Sequence, residues 1–382
     1  MIESLRHWLK PKYETLNHLE ISRSGLLDNY RYLKSLQPAA AMFPVLKSNA
    51  YGHGLKELCQ ILNTVAPPLV VVDSYPEAQI VYRHFRGKVL ILGEMPLQAY
   101  GYCQLKRTEF VVYNAATLRH LARYGRKAQV HLFVNSGMNR EGIQDLPLFL
   151  RENKKYLDQV QISGLMSHLA AAEQNSSLNQ EQEENFNLAL DNLRAAGYFP
   201  QWIHLGNSAA VFTSHNKSLT AFRPGLAFYG YSPFSGQDSE VALKAAALKP
   251  ALEVYSQIIA RQEIKSGASV SYNETYLAPS STTIGVMPFG YFEGLDRRLS
   301  NQGRVLVKSA AGDFLCQIAG QVCMNLSCLD CGHNKFQLGD MVQVVSKRPA
   351  DPNSIVNLAL LTGTIPYEIL IRFQANIRRK IV

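Results

Sequence analysis

The chain has 382 residues, of which 47% are apolar, so it can bury two cores and we expect two domains. No apolar run reaches the about 20 residues of a bilayer-spanning helix, which argues against a membrane protein. The net charge is +9, but basic residues cluster only at Arg378–Lys380, which favours a small anionic ligand over nucleic acid. Residues 1–17 lack the apolar core of a secretory signal, so we expect an N-terminal extension on a cytoplasmic protein.

Residues 18–247 alternate apolar strands with segments of helical period. A strand is expected over His18–Ser22 and a helix over Ser24–Leu36. Eight further strand candidates follow: Ala41–Lys47, Leu69–Asp73, Val89–Gly93, Phe110–Tyr113, Val130–Val134, Ile162–Met166, Ile203–Leu205 and Leu226–Gly230. Helical segments between them include Leu55–Leu62, Glu77–Phe85, Leu118–Tyr124 and Glu181–Ala196. This alternation predicts an α/β domain with a (β/α)8 TIM-like barrel. The alternative is a doubly wound open sheet, although no G-x-G-x-x-G follows the first strand.

Residues 248–382 change to short alternating runs separated by turns, which predict a second, mostly β domain. The expected strands are Leu252–Ile264, Thr282–Met287, Val305–Lys308, Cys316–Ile318, Val322–Cys328 and Met341–Val345, with a late helix near Ser354–Leu361. Cys328-x-x-Cys331 with His333 could be half of a zinc site, but no second C-x-x-C accompanies it. We therefore expect no metal.

Lys47 ends an apolar run and is followed by a turn that contains Tyr51, Gly52 and Gly54. A lysine at the carboxyl end of a buried strand can lose its proton through desolvation and become a nucleophile that forms a Schiff base. The alternative is a strand-end lysine whose ammonium group reaches the solvent.

Four further motifs come after predicted barrel strands, where barrel enzymes place their active sites. Arg140 lies in the loop Asn135–Gly142, and a guanidinium there suits an anion. His168 follows the strand Ile162–Met166. Asn207-Ser208 precedes a small-residue helix start, which suits a phosphate, and Arg223-Pro224-Gly225-Leu226 adds a second loop in the region where barrels bind phosphate.

The stretch from Pro44 to Gly54 closely resembles the cofactor-lysine motif of the alanine racemase family, and the other motifs match the same family from about His18 to Arg379. The resemblance implies a pyridoxal phosphate (PLP) enzyme that interconverts L- and D-alanine and feeds peptidoglycan synthesis. It further implies a homodimer of subunits with a barrel and a β domain.

The resemblance also implies roles for the barrel residues. Lys47 would hold PLP and act as one base, while Tyr51 would point at the phosphate. Arg140 would contact the cofactor oxygen and the substrate, and His168 would lie against the cofactor. The remaining residues expected to bind the cofactor are Asn207, Ser208, Arg223, Gly225 and Leu226. Because arginine only donates hydrogen bonds, Arg223 would leave the pyridine nitrogen unprotonated, which favours racemisation over transamination.

In the β domain, Tyr272 resembles the family's second base, which reaches across from the partner subunit. Racemisation needs one group on each face of Cα, which Lys47 and Tyr272 would provide. Met324 resembles the residue whose backbone N–H meets the substrate carboxylate. Tyr291 and Arg297 match the entrance corridor, and Tyr367 matches the tyrosine that closes on the phosphate.

Four positions depart from the family pattern. Phe133 replaces a carbamylated lysine that orients the arginine in many members, and Asn135 replaces an aspartate. Gln321 stands where arginine is common, and Asn325 where aspartate is usual. These changes leave open a serine or broader-specificity racemase, or a PLP-binding paralogue with little turnover. A basic amino-acid decarboxylase of similar architecture is disfavoured by Arg223 and Tyr272.

Overall fold

The computed structural model describes residues 14–234 and 240–382. The extension expected over residues 1–17 therefore lies mostly outside the described residues. The described residues divide into two compact units, one of them within Ser22–Ala251 and the other mainly Leu252–Lys380 together with residues 14–21.

The first unit is the expected eight-stranded parallel barrel. Its strands are β2 (Ala41–Met42), β3 (Leu69–Val72), β4 (Lys88–Ile91), β5 (Thr108–Val112), β6 (Gln129–Phe133), β7 (Gln161–Met166), β8 (Trp202–His204) and β9 (Ala221–Phe222). Strands β3 to β8 form a continuous parallel sheet in chain order, and β2 pairs with β9. The N–H of Leu46 bonds to the carbonyl of Val71 (2.7 Å), and the N–H of Thr220 bonds to that of Ile203 (2.9 Å). These bonds close the ring on both sides of the β2–β9 pair.

The eighth strand lies earlier than the sequence pattern predicts. The apolar run Leu226–Gly230 forms a tight helical turn, in which the N–H of Tyr229 bonds to the carbonyl of Leu226 at 3.1 Å. The strand is instead the short segment Ala221–Phe222, just before Arg223. The run is apolar because it is buried, and burial alone does not distinguish a short strand from a turn.

The helices of this unit are α1 (Arg23–Leu36), α2 (Leu55–Leu62), α3 (Tyr75–His84), α4 (Ala115–Leu121), α5 (Leu146–Leu157), α6 (Ser177–Ala195), α7 (Ala210–Thr213) and α8 (Glu240–Ala245). Several begin at a side chain that caps free backbone N–H groups. Ser22 accepts from Gly25, Asn114 from Thr117 and Asp145 from Leu148. The predictions include α2 with its bounds but omit α5, which starts at the Asp145 cap.

The second unit is built on a nine-stranded sheet. The strands are β1 (His18–Ile21), β10 (Leu252–Gln257), β11 (Ala260–Ile264), β12 (Thr282–Met287), β13 (Arg304–Lys308), β14 (Phe314–Ala319), β15 (Ser327–Asp330), β16 (Met341–Val345) and β17 (Arg378–Ile381). Their order across the sheet is β11-β12-β15-β14-β13-β16-β10-β1-β17. Two helices, α9 (Ile355–Leu361) and α10 (Pro366–Arg372), complete it.

Three sequence-based expectations change in this unit. His18–Ile21 pairs antiparallel with β10, so it does not belong with the barrel residues. The run Leu252–Ile264 splits into β10 and β11, and most of Val322–Cys328 is a loop before β15. Among the described residues no single helix is long and apolar enough to cross a membrane. Only the bent pair α9 and α10, taken together, has such a length and composition.

Candidate active site

Lys47 begins a left-handed helical turn and does not end a strand as expected. The backbone φ angles of Ser48, Asn49, Ala50 and Tyr51 are 56°, 53°, 54° and 51°. Left-handed backbone costs an L-residue roughly 1–2 kcal/mol, and four in a row occur only where surrounding contacts enforce them. The turn therefore holds Lys47 in a fixed place at the carboxyl end of the barrel strands.

Glu77 and Asn49 supply those contacts. The carboxylate of Glu77 accepts the N–H of Asn49 at 3.3 Å and the N–H of Asp73 at 2.9 Å. The side-chain oxygen of Asn49 accepts the N–H of Leu55 at 2.9 Å, which links the turn to α2. The Lys47 amine lies 3.8 Å from a carboxylate oxygen of Asp73, and its side chain is 40% exposed. The lysine is thus half-buried, with its amine near the carboxylate of Asp73.

Tyr51 and the two loops near β8 and β9 form a cradle. A Cβ built on Gly225 would lie 2.6 Å from the Tyr51 hydroxyl, so the tyrosine tip rests against the Gly225 backbone. The Ser208 hydroxyl accepts the N–H groups of Gly225 at 2.9 Å and Ala227 at 3.2 Å. A hydroxyl accepts two hydrogen bonds and donates one, so the Ser208 proton remains to bind an anion.

Asn207 and Leu226 take supporting positions in this cradle. The Asn207 side-chain oxygen accepts the N–H groups of Ala209 (3.0 Å) and Ala210 (3.2 Å), so it caps the start of α7. Those N–H groups are consequently occupied. Leu226 is 2% exposed and belongs to the buried turn after Gly225.

Arg223 is buried in the barrel, with 5% of its surface exposed. Its Nη1 group donates to Nδ1 of His204 at 2.6 Å and to the His204 carbonyl at 2.7 Å. Its Nη2 group donates to the Ser167 carbonyl at 2.6 Å and lies 3.3 Å from Nδ1 of His168. Burial lowers the pKa of Arg223 to about 10, which still leaves it charged at neutral pH. Its Nε–H has no partner among the residues that the structure describes.

His168 is neutral at physiological pH. Burial, the charge of Arg223 and more distant cations lower the pKa of the imidazole to about 3. Since Nδ1 faces a guanidinium that only donates, the proton of His168 lies on Nε2. His168 therefore offers an N–H donor and carries no positive charge.

Arg140 is oriented toward a neighbouring acid. Its guanidinium donates to one carboxylate oxygen of Glu141 from Nε at 3.2 Å and from Nη2 at 2.8 Å. Phe133, which stands at the position of the family's carbamylated lysine, is 4% exposed and packs on Tyr113 with ring centroids 5.0 Å apart. Asn135 accepts the N–H groups of Gly137 and Asn139 and so shapes the loop. Glu141 thus supplies a carboxylate to Arg140.

The remaining expected residues lie in the second unit, and most of them are exposed there. Tyr272 is 67% exposed and begins a short 3-10 turn, Tyr272–Glu274, whose neighbour Ser271 has φ 65°. Met324 and Tyr291 are 56% and 42% exposed. Arg297 and Tyr367 also have surface positions.

Gln321 and Asn325, the two positions in this unit that depart from the family pattern, donate hydrogen bonds to a hydroxyl and a carboxylate. The Gln321 amide donates to the Thr275 hydroxyl at 3.2 Å, and the Asn325 amide donates to Glu293 at 2.9 Å.

Sequence reasoning missed the polar residues inside the barrel. Glu109, His131 and His204 lie on β5, β6 and β8, and each is at most 1% exposed. They form a hydrogen-bonded line that ends on Arg223. The available signal was a charged residue and an imidazole at inward positions of otherwise apolar strands.

An eight-stranded barrel with a lysine and a buried arginine at its carboxyl end, followed along the chain by an antiparallel β unit, is the architecture expected of a barrel-type racemase. Residues 21–233 match the alanine racemase N-terminal domain family, and residues 251–381 match the C-terminal domain family. The chain is 31% identical over 346 residues to an alanine racemase of Lactobacillus acidophilus, covering 88% of this chain and 89% of that protein. The chain belongs to the alanine racemase family.

Solved structures agree with this assignment. The alanine racemase of Clostridium difficile has a TM-score of 0.87 at 25% identity, with 97% of each chain covered. The alanine racemase of Bartonella henselae with covalently bound pyridoxal phosphate has a TM-score of 0.83 at 22% identity, covering 97% of this chain and all of that one. The second likeness establishes the fold alone.

The family is PLP-dependent, and the geometry of this chain fits the cofactor. The glycine at 225 leaves the space that any side chain would fill against Tyr51, and the Ser208 proton is available for a phosphate oxygen. Arg223 presents an unpartnered Nε–H within the described residues, which suits an unprotonated ring nitrogen. Lys47, whose side chain is half-buried, completes the set.

Proposed function

We propose that this protein interconverts L- and D-alanine with PLP bound at the carboxyl end of the barrel. The observation that carries the proposal is Arg223, a buried cation whose Nη groups are committed to carbonyls and imidazoles while Nε–H is left over. A guanidinium at the ring nitrogen donates a hydrogen bond without giving up a proton. Arg223 would thereby leave the cofactor ring a weaker electron sink, which would favour rapid return of the proton to Cα.

The cofactor would be held by three side chains of the barrel unit. Lys47 would bind it covalently, and Tyr51 and Ser208 would bind its phosphate in the space that Gly225 leaves beside Tyr51. When bound, PLP withdraws electrons from Cα and so acidifies the α-proton. Tyr367 is proposed to add a hydroxyl on the phosphate side.

Two bases would move the proton at Cα. The amine of Lys47 would exchange a proton on one face and the phenol of Tyr272 on the other, since inversion requires removal and delivery on opposite faces. The family resemblance places His168 against both the cofactor and the catalytic tyrosine, and because His168 is neutral it would act on them by N–H donation. Arg140 would orient the substrate, and the Met324 N–H would meet its carboxylate.

Two variants test the two-base assignment. We expect Tyr272→Phe to slow racemisation by about 10²- to 10⁴-fold, the usual contribution of a positioned acid or base, while α-proton exchange of one enantiomer persists. Lys47→Ala should abolish both. Racemisation by Tyr272→Phe at the unaltered rate would contradict the role of this tyrosine.

The exposure of Tyr272 supports a homodimer in which each subunit lends this residue to its partner. Mixing refolded Lys47→Ala with Tyr272→Phe subunits tests that idea. Heterodimers would contain one site with both Lys47 and Tyr272, so activity should return, whereas sites built within one chain would stay inactive. We further propose that Tyr291 and Arg297 line the entrance to the site and that the protein is cytoplasmic. We also propose that it supplies D-alanine for peptidoglycan, which depletion of the protein in its host would test.

A further inference from the structure

A line of buried polar side chains runs through the barrel interior to Arg223. We call Glu109, His131 and His204 the relay. Oε2 of Glu109 lies 2.6 Å from Nε2 of His131, and Nδ1 of His131 lies 2.7 Å from Nε2 of His204. Nδ1 of His204 lies 2.6 Å from Nη1 of Arg223. The relay thus joins the guanidinium to a carboxylate deep in the barrel.

The two ends of the relay determine where its protons lie. A guanidinium only donates, so Nδ1 of His204 accepts and the His204 proton lies on Nε2. That proton is donated to Nδ1 of His131, whose own proton is therefore on Nε2 and is donated to Glu109. A carboxylate only accepts, so every hydrogen bond in the line points the same way.

The carboxylate end is fixed in turn by a lysine. Lys88 donates from Nζ to the second oxygen of Glu109 at 2.8 Å and to the side-chain oxygen of Gln129 at 2.5 Å. Burial opposes the charge of Glu109, but the hydrogen bonds from His131 and Lys88 outweigh it and lower the pKa of the carboxyl to about 2. Glu109 is consequently ionised at any physiological pH.

A glycine makes room for the relay. His131 on β6 reaches His204 on β8 across the intervening strand β7, where Gly164 is its register partner. A Cβ on Gly164 would lie 2.2 Å from Nδ1 of His131, the atom that accepts from His204. No side chain other than hydrogen is compatible with this contact.

No acidic side chain in the part of the chain that the structure describes bonds directly to the guanidinium of Arg223. Its hydrogen-bond acceptors are backbone carbonyls and the imidazoles of His204 and His168. Among the described residues of the barrel unit, Glu109 is the one acidic side chain that is buried. A buried cation whose charge is not compensated is costly. The relay connects Arg223 to the negative charge of Glu109 through a chain of hydrogen bonds, which polarise one another.

We propose that Glu109, His131 and Gly164 are positioning residues, which keep Nδ1 of His204 an acceptor and thereby hold the guanidinium of Arg223 in place. The catalytic consequence rests on the proposed function, in which Arg223 faces the ring nitrogen of PLP. The direction of the protons is a property of the protein itself.

Glu109→Gln makes the sharpest test, because the amide has one acceptor and one donor end. Lys88 takes the amide oxygen, so the amide N–H faces Nε2 of His131, which must then accept. The hydrogen bonds between the new amide, His131 and His204 then all reverse their direction. The proton of His204 consequently moves to Nδ1, where it faces the N–H of Arg223 and the hydrogen bond between them is lost. In the double variant Lys88→Met with Glu109→Gln, the amide oxygen is free to accept from His131, and the original direction returns.

The primary readout is the protonation state of each ring nitrogen, from ¹⁵N NMR of histidine-labelled protein without cofactor. In the natural protein, His131 and His204 should both carry the proton on Nε2. In Glu109→Gln the proton of His204 should lie on Nδ1, and in the double variant on Nε2 again. A proton on Nδ1 of either ring in the natural protein, or an unchanged His204 in Glu109→Gln, would overturn the proposal.

Kinetics of the PLP-loaded enzyme provide the second readout. We expect Glu109→Gln and Gly164→Ala to lower kcat by about 10- to 100-fold, as small displacements of positioning groups do, and the double variant to recover most of it. Gly101→Ala is a matched control, since its new methyl group would meet only the tip of Tyr124 at 3.2 Å. Full activity in Gly164→Ala would contradict the proposal. If the natural protein shows the stated protonation but does not racemise alanine, the proposed function fails while the relay stands.

Discussion

Replacing Gly225 by alanine should weaken the binding of PLP without preventing folding. The added Cβ would lie 2.6 Å from the Tyr51 hydroxyl and 3.1 Å from its Cζ, whereas ordinary contacts begin at 3.4 Å. Tyr51 has little room to retreat, because its ring packs on Tyr229 at a centroid distance of 4.9 Å and Tyr229 is fully buried. Overpacking of this kind costs about 1–3 kcal/mol. If the Gly225 loop shifts to relieve this strain and has to return when PLP binds, the same free energy corresponds to roughly 5- to 150-fold weaker cofactor binding.

The assay is titration of the cofactor-free protein with PLP, followed by its absorbance, with Tm measured on the same samples. Gly101→Ala is again the control, because its surroundings are exposed. Gly225→Ala should bind PLP more weakly than both the natural protein and this control. Affinity and Tm within error of the natural protein would refute the close fit between Gly225 and Tyr51.

Three further predictions concern stability. His168 has a folded pKa of about 3 against 6.5 for the free side chain, so protons bind the unfolded state first, and Tm should fall as pH drops below 6.5. The Tm of His168→Gln should fall less over the same pH range than that of the natural protein. Equal falls in Tm would contradict the low pKa of His168. Phe133→Ala should cost about 3–5 kcal/mol in urea unfolding, because it removes a buried ring that packs on Tyr113; a loss under about 1 kcal/mol would contradict this packing. Glu141→Gln should cost less than about 1 kcal/mol, since its ion pair with Arg140 is exposed; a larger loss would show that the pair is structural.

The sequence pattern predicts the barrel because the same cause, a short strand buried on both faces, recurs along the chain. Strand β3 is a run of four residues with at most 1% exposure, which is how a strand buried on both faces reads in a sequence. The bounds of α2 follow from a pattern of period 3.6, and those of β12 from a short run of residues that is buried almost throughout. Where burial is the only signal, as at Leu226–Gly230, the pattern does not separate a strand from a turn, and the eighth strand was misplaced.

The site divides in the same way. Lys47, Tyr51, Ser208 and Arg223 are predicted from motifs, and the structure places all four in the barrel unit, while their roles stay predictions. The left-handed turn after Lys47 escapes sequence reasoning, because four non-glycine residues adopt a conformation that none of them prefers. The relay could not be predicted from the sequence either, since its three residues lie on three different strands and come together only in the folded barrel.

Exchange of the substrate α-proton is the direct test of the proposed racemisation. PLP-loaded protein is incubated in deuterated water with L-alanine, L-serine or L-lysine, and loss of the α-proton is followed by NMR alongside chiral analysis. We expect rapid exchange of L-alanine with formation of D-alanine, and loss of both on substitution of Lys47. Cofactor absorbance without exchange of alanine would contradict the account and identify a PLP-binding protein with little turnover.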